Sequence, residues 1–290
     1  SLIQISTRMY AMIRIHKNLS TKLLNMVNKS KLSPSRFYTF FHKALSKQAS
    51  CLLCDEETRH HHLPFQRVFC EPCLLDFPSN KTKCSICCLP LPINNTEAPV
   101  WHLMCGECLA NPPSFTTTIC PFTYDFPIKP IIKQIKYAKQ RHWIKPLSWL
   151  FKQEYLSILN KGDTVKPDLL IPVPIHKAKK KQRGYNQSAL LSRQLSYFME
   201  IASSEDILIK TKHTQTQTRL NKFERIQNLT GSFNIAKKAL KQNRLKGKHI
   251  ALVDDVMTTK ATAEIISKLL LEHGAMRVDI WCLARTPKSA

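Results

Sequence analysis

Two groups of residues in this chain have the types and spacing to do chemistry. The first is eight cysteines in four C-x-x-C pairs: Cys51/Cys54, Cys70/Cys73, Cys84/Cys87 and Cys105/Cys108. Fifteen residues separate Cys54 from Cys70 and seventeen separate Cys87 from Cys105, the spacing of four-cysteine zinc sites. Each pair makes a tight knuckle that offers two sulfurs to one ion, and two knuckles complete a tetrahedron. Two structural zinc ribbons in tandem are expected. Such closed sites have no open position, so they hold structure and do no reaction. Cys88, Cys120 and Cys282 stand outside the pairs as packing residues, and His60, His61 and His62 are read as a solvated loop.

The second group is Asp254 and Asp255, followed by Thr258, Thr259 and Thr262. Two adjacent acids can hydrogen-bond a sugar's vicinal hydroxyls. Hydroxyls and backbone N–H groups at a helix start make a phosphate site. A basic run, Lys177, Lys179, Lys180, Lys181 and Arg183, precedes Gly184-Tyr185-Asn186-Gln187 and offers charge to a diphosphate or to nucleic acid. Arg219 and Arg225, in a polar stretch read as a long loop or lid, are further phosphate candidates. Tyr185, Tyr137 and Trp143 are aromatic rings on which bases could stack.

These groups need elements to position them. Ile250 to Val253 has the length and branching of a buried parallel strand that ends at the acids. Ala263, Ile265, Ile266, Leu269 and Leu270 then recur at helical spacing, so the threonines sit at a strand-to-helix turn. Ligands bind at such turns in open α/β sheets. Leu169 to Val173 reads as a second parallel strand with the basic run beyond its tip, and Asn186 as the cap of a helix over Ser188 to Glu200. Ile131, Ile132 and Ile135 form one face of a further helix, with Lys133 and Lys136 displaced from it, and another helix is expected over Trp149 to Leu159. Val278 to Leu283 is strand-like.

The fold class expected is α/β, with a parallel-sheet domain over 121–290, a cysteine-rich double zinc ribbon over 46–120 and a basic extension over 1–45. That extension is read as disordered or as lying upstream of the true start, with Met9, Met12 and Met26 as candidate starts. The net charge is +24, and it is uneven: residues 1–50 carry nine Lys/Arg and no acid, whereas 51–120 carry four bases and seven acids. A chain this basic favours a polyanion partner, and the ribbons are not its obvious surface for one. Ten of eleven cysteines lie within 51–120, mostly paired, which argues for metal in a reducing cytoplasm rather than for disulfides. No apolar run reaches 18 residues, so no transmembrane segment is expected.

His249 to Thr262 resembles the phosphoribosyl-pyrophosphate (PRPP) loop of type I phosphoribosyltransferases: hydrophobics, D-D, two residues, then T-T-G-x-T. The resemblance implies that Asp254 and Asp255 meet the ribose hydroxyls as the catalytic pair, while Thr258, Thr259, Ala261 and Thr262 cradle the 5′-phosphate. The family's glycine is Lys260 here, a side chain that could crowd the loop or add a charge contact to phosphate. Pro172-Val173-Pro174, Arg183 to Gln187, then Thr214, Gln217, Leu220, Glu224, Arg225, Asn228, Gly231 and Phe233 together resemble the ComF (GntX-like) family.

That second resemblance implies a phosphoribosyltransferase-like domain behind a double zinc ribbon. It also implies a cytoplasmic competence protein, placed in the cytoplasm or at the inner face of the membrane, that handles incoming single-stranded DNA. PRPP or a nucleotide would be its ligand, and a competence helicase or the uptake machinery its protein partner. Two alternatives stay open. One is an active transferase, with Mg²⁺ on PRPP and Arg183 on the leaving diphosphate. The other is a zinc-ribbon adaptor whose second domain is catalytically dead.

Overall fold

A computed structural model describes residues 50–56, 68–92, 103–212 and 231–288. The expectations for 1–45, for His60 to His62, and for Arg219 and Arg225 lie outside the described residues.

Two one-turn helices, α1 (Glu71–Leu75) and α2 (Gly106–Ala110), begin directly after Cys70 and Cys105, so each carries the second sulfur of its knuckle. The chain continues through β1 (Thr118–Ile119), β2 (Phe122–Thr123), α3 (Ile128–Tyr137), a 3₁₀ turn over Arg141–Trp143 and α4 (Ile144–Asn160). It then forms β3 (Leu169–Pro172), α5 (Lys177–Arg183), α6 (Gln187–Met199), β4 (Ala202–Ser203), β5 (Leu208–Lys210) and β6 (Phe233–Ile235). The last elements are α7 (Lys237–Lys241), β7 (His249–Met257), α8 (Ala261–Glu272) and β8 (Arg277–Arg285).

Strands β1-β8-β7-β3-β4 lie in that order, β2 also pairs with β8, and every pair is parallel. Parallel neighbours need crossovers, and the amphipathic helices between the strands supply them. The result is the α/β, parallel-sheet architecture expected. β5 and β6 form a separate antiparallel pair.

Alternation along the strands divides the core between two faces. Ile250 and Leu252 of β7 join Val278, Ile280 and Cys282 of β8 under α8, in one apolar cluster with Cys84, Cys87, Cys105 and Cys108. Ala251 and Val253 join Trp281 and Leu283 on the other face, with α3, α4, α6 and Cys51. The two cysteine groups thus pack on opposite faces of the sheet.

Helix α3 buries Ile128, Ile131, Ile132 and Ile135 as its spacing predicts. Helix α4 starts five residues earlier than expected, because Pro146 falls in its first turn, where a missing N–H costs little. Asn186 caps α6, its side chain accepting from Ser188 N at 3.1 Å. The expected strand end at Val253 is corrected. β3 stops pairing at Pro172 opposite Val253, but β8 carries β7 on through Asp254, which pairs with Cys282, to Met257, opposite Arg285.

Candidate functional site

The site begins where β3 ends and β7 continues, a step in the sheet that leaves Asp254 lining a crevice while Asp255, the next residue along the strand, turns toward α3. Asp254 is half-buried and Asp255 is 6% exposed. Asp254 Oδ1 accepts from Ser188 Oγ at 2.8 Å and from Asp255 N at 2.9 Å, while Asp255 Oδ1 accepts from Val256 N at 2.9 Å. Ser188 is placed by Asn186, which also donates from Nδ2 to Val173 O at 2.9 Å, tying the start of α6 to the tip of β3. Burial, followed by the Asp255 charge, pushes the Asp254 carboxyl up to about 7, against the pull of Lys136 and Ser188.

The counter-charge comes from α3. Lys136 Nζ lies 2.8 Å from Asp255 Oδ2. Burial works against this ammonium, but Asp255 and then Asp254 outweigh it and hold its pKa above the ordinary lysine range. The expectation that Lys136 is displaced from the buried face is therefore corrected. It lies four residues after Ile132 and eight after Ile128, on the edge of the same stripe, and that phase was the available signal.

Further cations converge. In α5, Lys179 and Arg183 are half-buried while Lys177, Lys180 and Lys181 face solvent. The i, i+4 spacing divides the run into an inner and an outer face. Burial lowers the Lys179 pKa, and Arg183 and Lys136 add to the effect. Lys210, at the end of β5, is lowered by burial and by Lys179, with Asp254 opposing. These mutual effects place Lys136, Lys179, Lys210 and Asp254 within one electrostatic neighbourhood. Lys210 carries no sequence motif, and only the fold brings it here.

Thr258 is exposed and Thr259 and Thr262 are half-buried at the crevice, on either side of the start of α8, whose N-terminus no side chain caps. Lys260 is the N-cap, in ordinary right-handed geometry (φ −72°, ψ −12°), so this turn needs no glycine. Its ammonium turns away from the threonines, toward Cys108 Sγ at 3.4 Å and Glu107 Oε1 at 3.6 Å. Neither expectation for Lys260, crowding the loop or contacting phosphate, describes where this side chain goes.

Two of the expected stacking rings are corrected. Tyr185 is buried, its hydroxyl donates to Ile135 O, and the Arg141 guanidinium covers its ring at 4.3 Å. Trp143 is buried too, its Nε1 donating to Gln134 Oε1 at 2.8 Å. Tyr137 is 72% exposed, with the Arg183 guanidinium 5.6 Å from its ring centroid. Arg183 also donates to Gln187.

The cysteines assemble as paired in sequence. Cys51, Cys54, Cys70 and Cys73 form one tetrad and Cys84, Cys87, Cys105 and Cys108 the other, the sulfurs of each within 4.8 Å of one another. Cys54 and Cys70 are 3.6 Å apart at sulfur, and Cys87 and Cys105 are 3.7 Å apart. Four thiolates at about 2.3 Å from one ion have edges of about 3.8 Å, so both tetrads fit a tetrahedral metal ion. The second tetrad is buried throughout, whereas the first has Cys54 exposed.

No protein-family model matches the chain. "DNA utilization protein YhgH" of Escherichia coli (strain K12) is 34% identical over 185 residues, 64% of this chain and 79% of that protein. "Competence protein F" of Haemophilus influenzae is 36% identical over 184 residues, 62% of this chain and 78% of that protein. The chain belongs to the ComF family. A further relative, "Competence protein ComFC" of Bacillus subtilis, is 29% identical over 166 residues, 57% of this chain and 62% of that protein. Among solved structures, a purine phosphoribosyltransferase from Pyrococcus horikoshii covers 49% of this chain and 90% of its own at 17% identity and a TM-score of 0.27. A hypothetical protein from Neisseria gonorrhoeae with bound ppGpp covers 53% of this ComF chain and 74% of its own, at 19% identity and a TM-score of 0.29. Among the described residues no helix is long and apolar enough to cross a membrane.

Proposed function

We propose that this chain is a competence protein of the ComF type that binds PRPP, or a nucleotide carrying the same ribose-phosphate chemistry, and handles incoming single-stranded DNA. The observation that carries the ligand reading is the meeting of both charge signs at one strand end. Asp254 and Asp255 suit a vicinal diol, Lys136, Lys179 and Lys210 suit a diphosphate, and the threonine turn suits a terminal phosphate. A diphosphate arrives with Mg²⁺, which keeps most of its waters and needs few protein ligands. The metal of the two tetrads is zinc in this reading, since four thiolates in a tetrahedron select it, and a reducing cytoplasm keeps those thiols available.

The DNA reading is supported by the charge of +24, by the outward lysines of α5 and by the names of the relatives. A helicase or another part of the uptake machinery would be its protein partner.

The test is calorimetric titration of Mg²⁺·PRPP into the zinc-loaded protein, beside an Asp254→Ala/Asp255→Ala double variant. Binding that the double variant loses is expected. A native protein that binds no PRPP overturns the ligand reading and leaves DNA to the basic surface. Release of pyrophosphate on adding candidate bases would identify an active transferase.

A further inference from the structure

The second cysteine tetrad is joined to the threonine turn by three separate links. Lys260 directs its ammonium at Cys108 Sγ, 3.4 Å away. Arg285, the last residue of β8 and 4% exposed, donates from Nε to Cys87 O at 3.1 Å. The same guanidinium donates from Nη1 to Met257 O at 2.9 Å and to Thr258 O at 2.8 Å. Glu264, in the first turn of α8, accepts from Ser114 N at 2.8 Å and Ser114 Oγ at 2.6 Å, a few residues beyond Cys108. One cysteine from each knuckle of this tetrad is thus tied to the segment running from the end of β7 into α8, Cys108 directly by Lys260 and Cys87 through Arg285 of β8. The first tetrad stands elsewhere: Cys51 packs with Phe69 and Phe77 on the opposite face of the sheet.

We propose that the second tetrad is the abutment of the phosphate turn, so that metal held there and ligand held at Thr258 to Thr262 stabilise each other, with Lys260 and Arg285 as positioning residues. The ligand half rests on the function proposed above; the mechanical half does not. Four thiolates can stay together in a buried site only around a cation. Without the ion they protonate or separate. Lys260 then loses a charged acceptor and Arg285 a fixed carbonyl, and the carbonyls of Met257 and Thr258 lose the donor that holds the turn. Hydrogen bonds to metal thiolates orient the ligands in return, so the link runs both ways. By linkage, any factor by which metal tightens ligand binding is the factor by which ligand tightens metal binding.

The experiment compares hydrogen exchange of full-length, zinc-loaded protein with C108S and C54S. C108S is expected to speed exchange over 257–263 by about tenfold, while C54S acts instead around Phe69 and Phe77. Because C108S could disturb folding, Lys260→Met provides the second arm. It keeps all eight thiols and is expected to keep its zinc while exchange in the turn rises. In the native protein, Mg²⁺·PRPP is expected to slow zinc release from the buried second tetrad, the release that C108S removes, to a chromogenic chelator, and Lys260→Met to reduce that slowing. Equal exchange in the turn for native and C108S protein overturns the proposal. So does a C54S effect on the turn as large as that of C108S, or a Lys260→Met variant that matches native protein in both readouts. If PRPP does not bind the native protein, the ligand reading fails by itself, and the exchange data still decide the abutment.

Discussion

Lys136 Nζ and Asp255 Oδ2, 2.8 Å apart, form an ion pair beside Asp254, so only one of the two adjacent acids lacks a cation of its own. The side chains are 21% and 9% exposed, so the pair is largely withdrawn from water. Burial, and then the Asp255 charge beside it, push the Asp254 carboxyl up to about 7, with Lys136 opposing.

Removing one partner strands the other. Lys136→Met is expected to lower stability by about 2–3 kcal/mol, somewhat below the cost of breaking a fully buried pair, by leaving Asp255 uncompensated. The double variant Lys136→Met/Asp255→Asn should recover most of the loss. Chemical denaturation of the three proteins checks this, and a double variant no more stable than Lys136→Met contradicts it.

Asp254 gives the protein a pH-dependent strain. Below about pH 4 its carboxyl is protonated in the folded and the unfolded chain alike. From there up to about 7 the unfolded chain has given up this proton and the folded chain has kept it, so rising pH favours unfolding. Asp254→Asn should therefore gain stability over native protein by an amount near zero at pH 4 that grows to a plateau above about pH 7, a few kcal/mol at most. Melting curves of the pair across that range measure the difference. A constant difference refutes the assignment.

Ser188 holds the ionised form of Asp254 through a 2.8 Å hydrogen bond. Ser188→Ala should carry the upper end of that rise upward by about one pH unit, the worth of a hydrogen bond to a charged group, and its midpoint by about half as much. A midpoint that stays still or moves down means the bond is not made to the carboxylate.

The inner and outer cations should separate by function. Lys179→Ala/Lys210→Ala is expected to weaken Mg²⁺·PRPP binding more than single-strand binding. Lys177→Ala/Lys180→Ala/Lys181→Ala should do the reverse, reducing the slope of log affinity against log salt by about 0.7 for each DNA phosphate that the variant leaves unneutralised. Fluorescence anisotropy with a labelled oligonucleotide at several salt concentrations reads the slope, and equal slopes for the two variants contradict the division.

Local features of the site were legible in the sequence, and long-range ones were not. The knuckles, the Asp254–Thr262 turn and the Asn186 cap are each written within a few residues. The partnership of Lys136 with Asp255 is made when α3 docks on the sheet, and composition treats any lysine as a surface residue. The continuation of β7 past Val253 depends on β8, a later strand. Tyr185 is buried because the left-handed Gly184 (φ 86°) turns the chain back under Arg141, where a motif shows only an aromatic. The destination of Lys260 depends on where the second tetrad packs, which no spacing of cysteines encodes.

The placement of the tetrads on opposite faces bears on how the chain can be shortened. A fragment lacking residues 51–73 loses apolar cover from the α3 and α4 side, a deficit that solubilising substitutions could repair. A fragment that begins at β1 loses the acceptors of Lys260 and the Cys87 carbonyl that receives Arg285, leaving two largely buried cations short of acceptors. The economical cut falls ahead of Cys84, inside the cysteine-rich stretch rather than at its end.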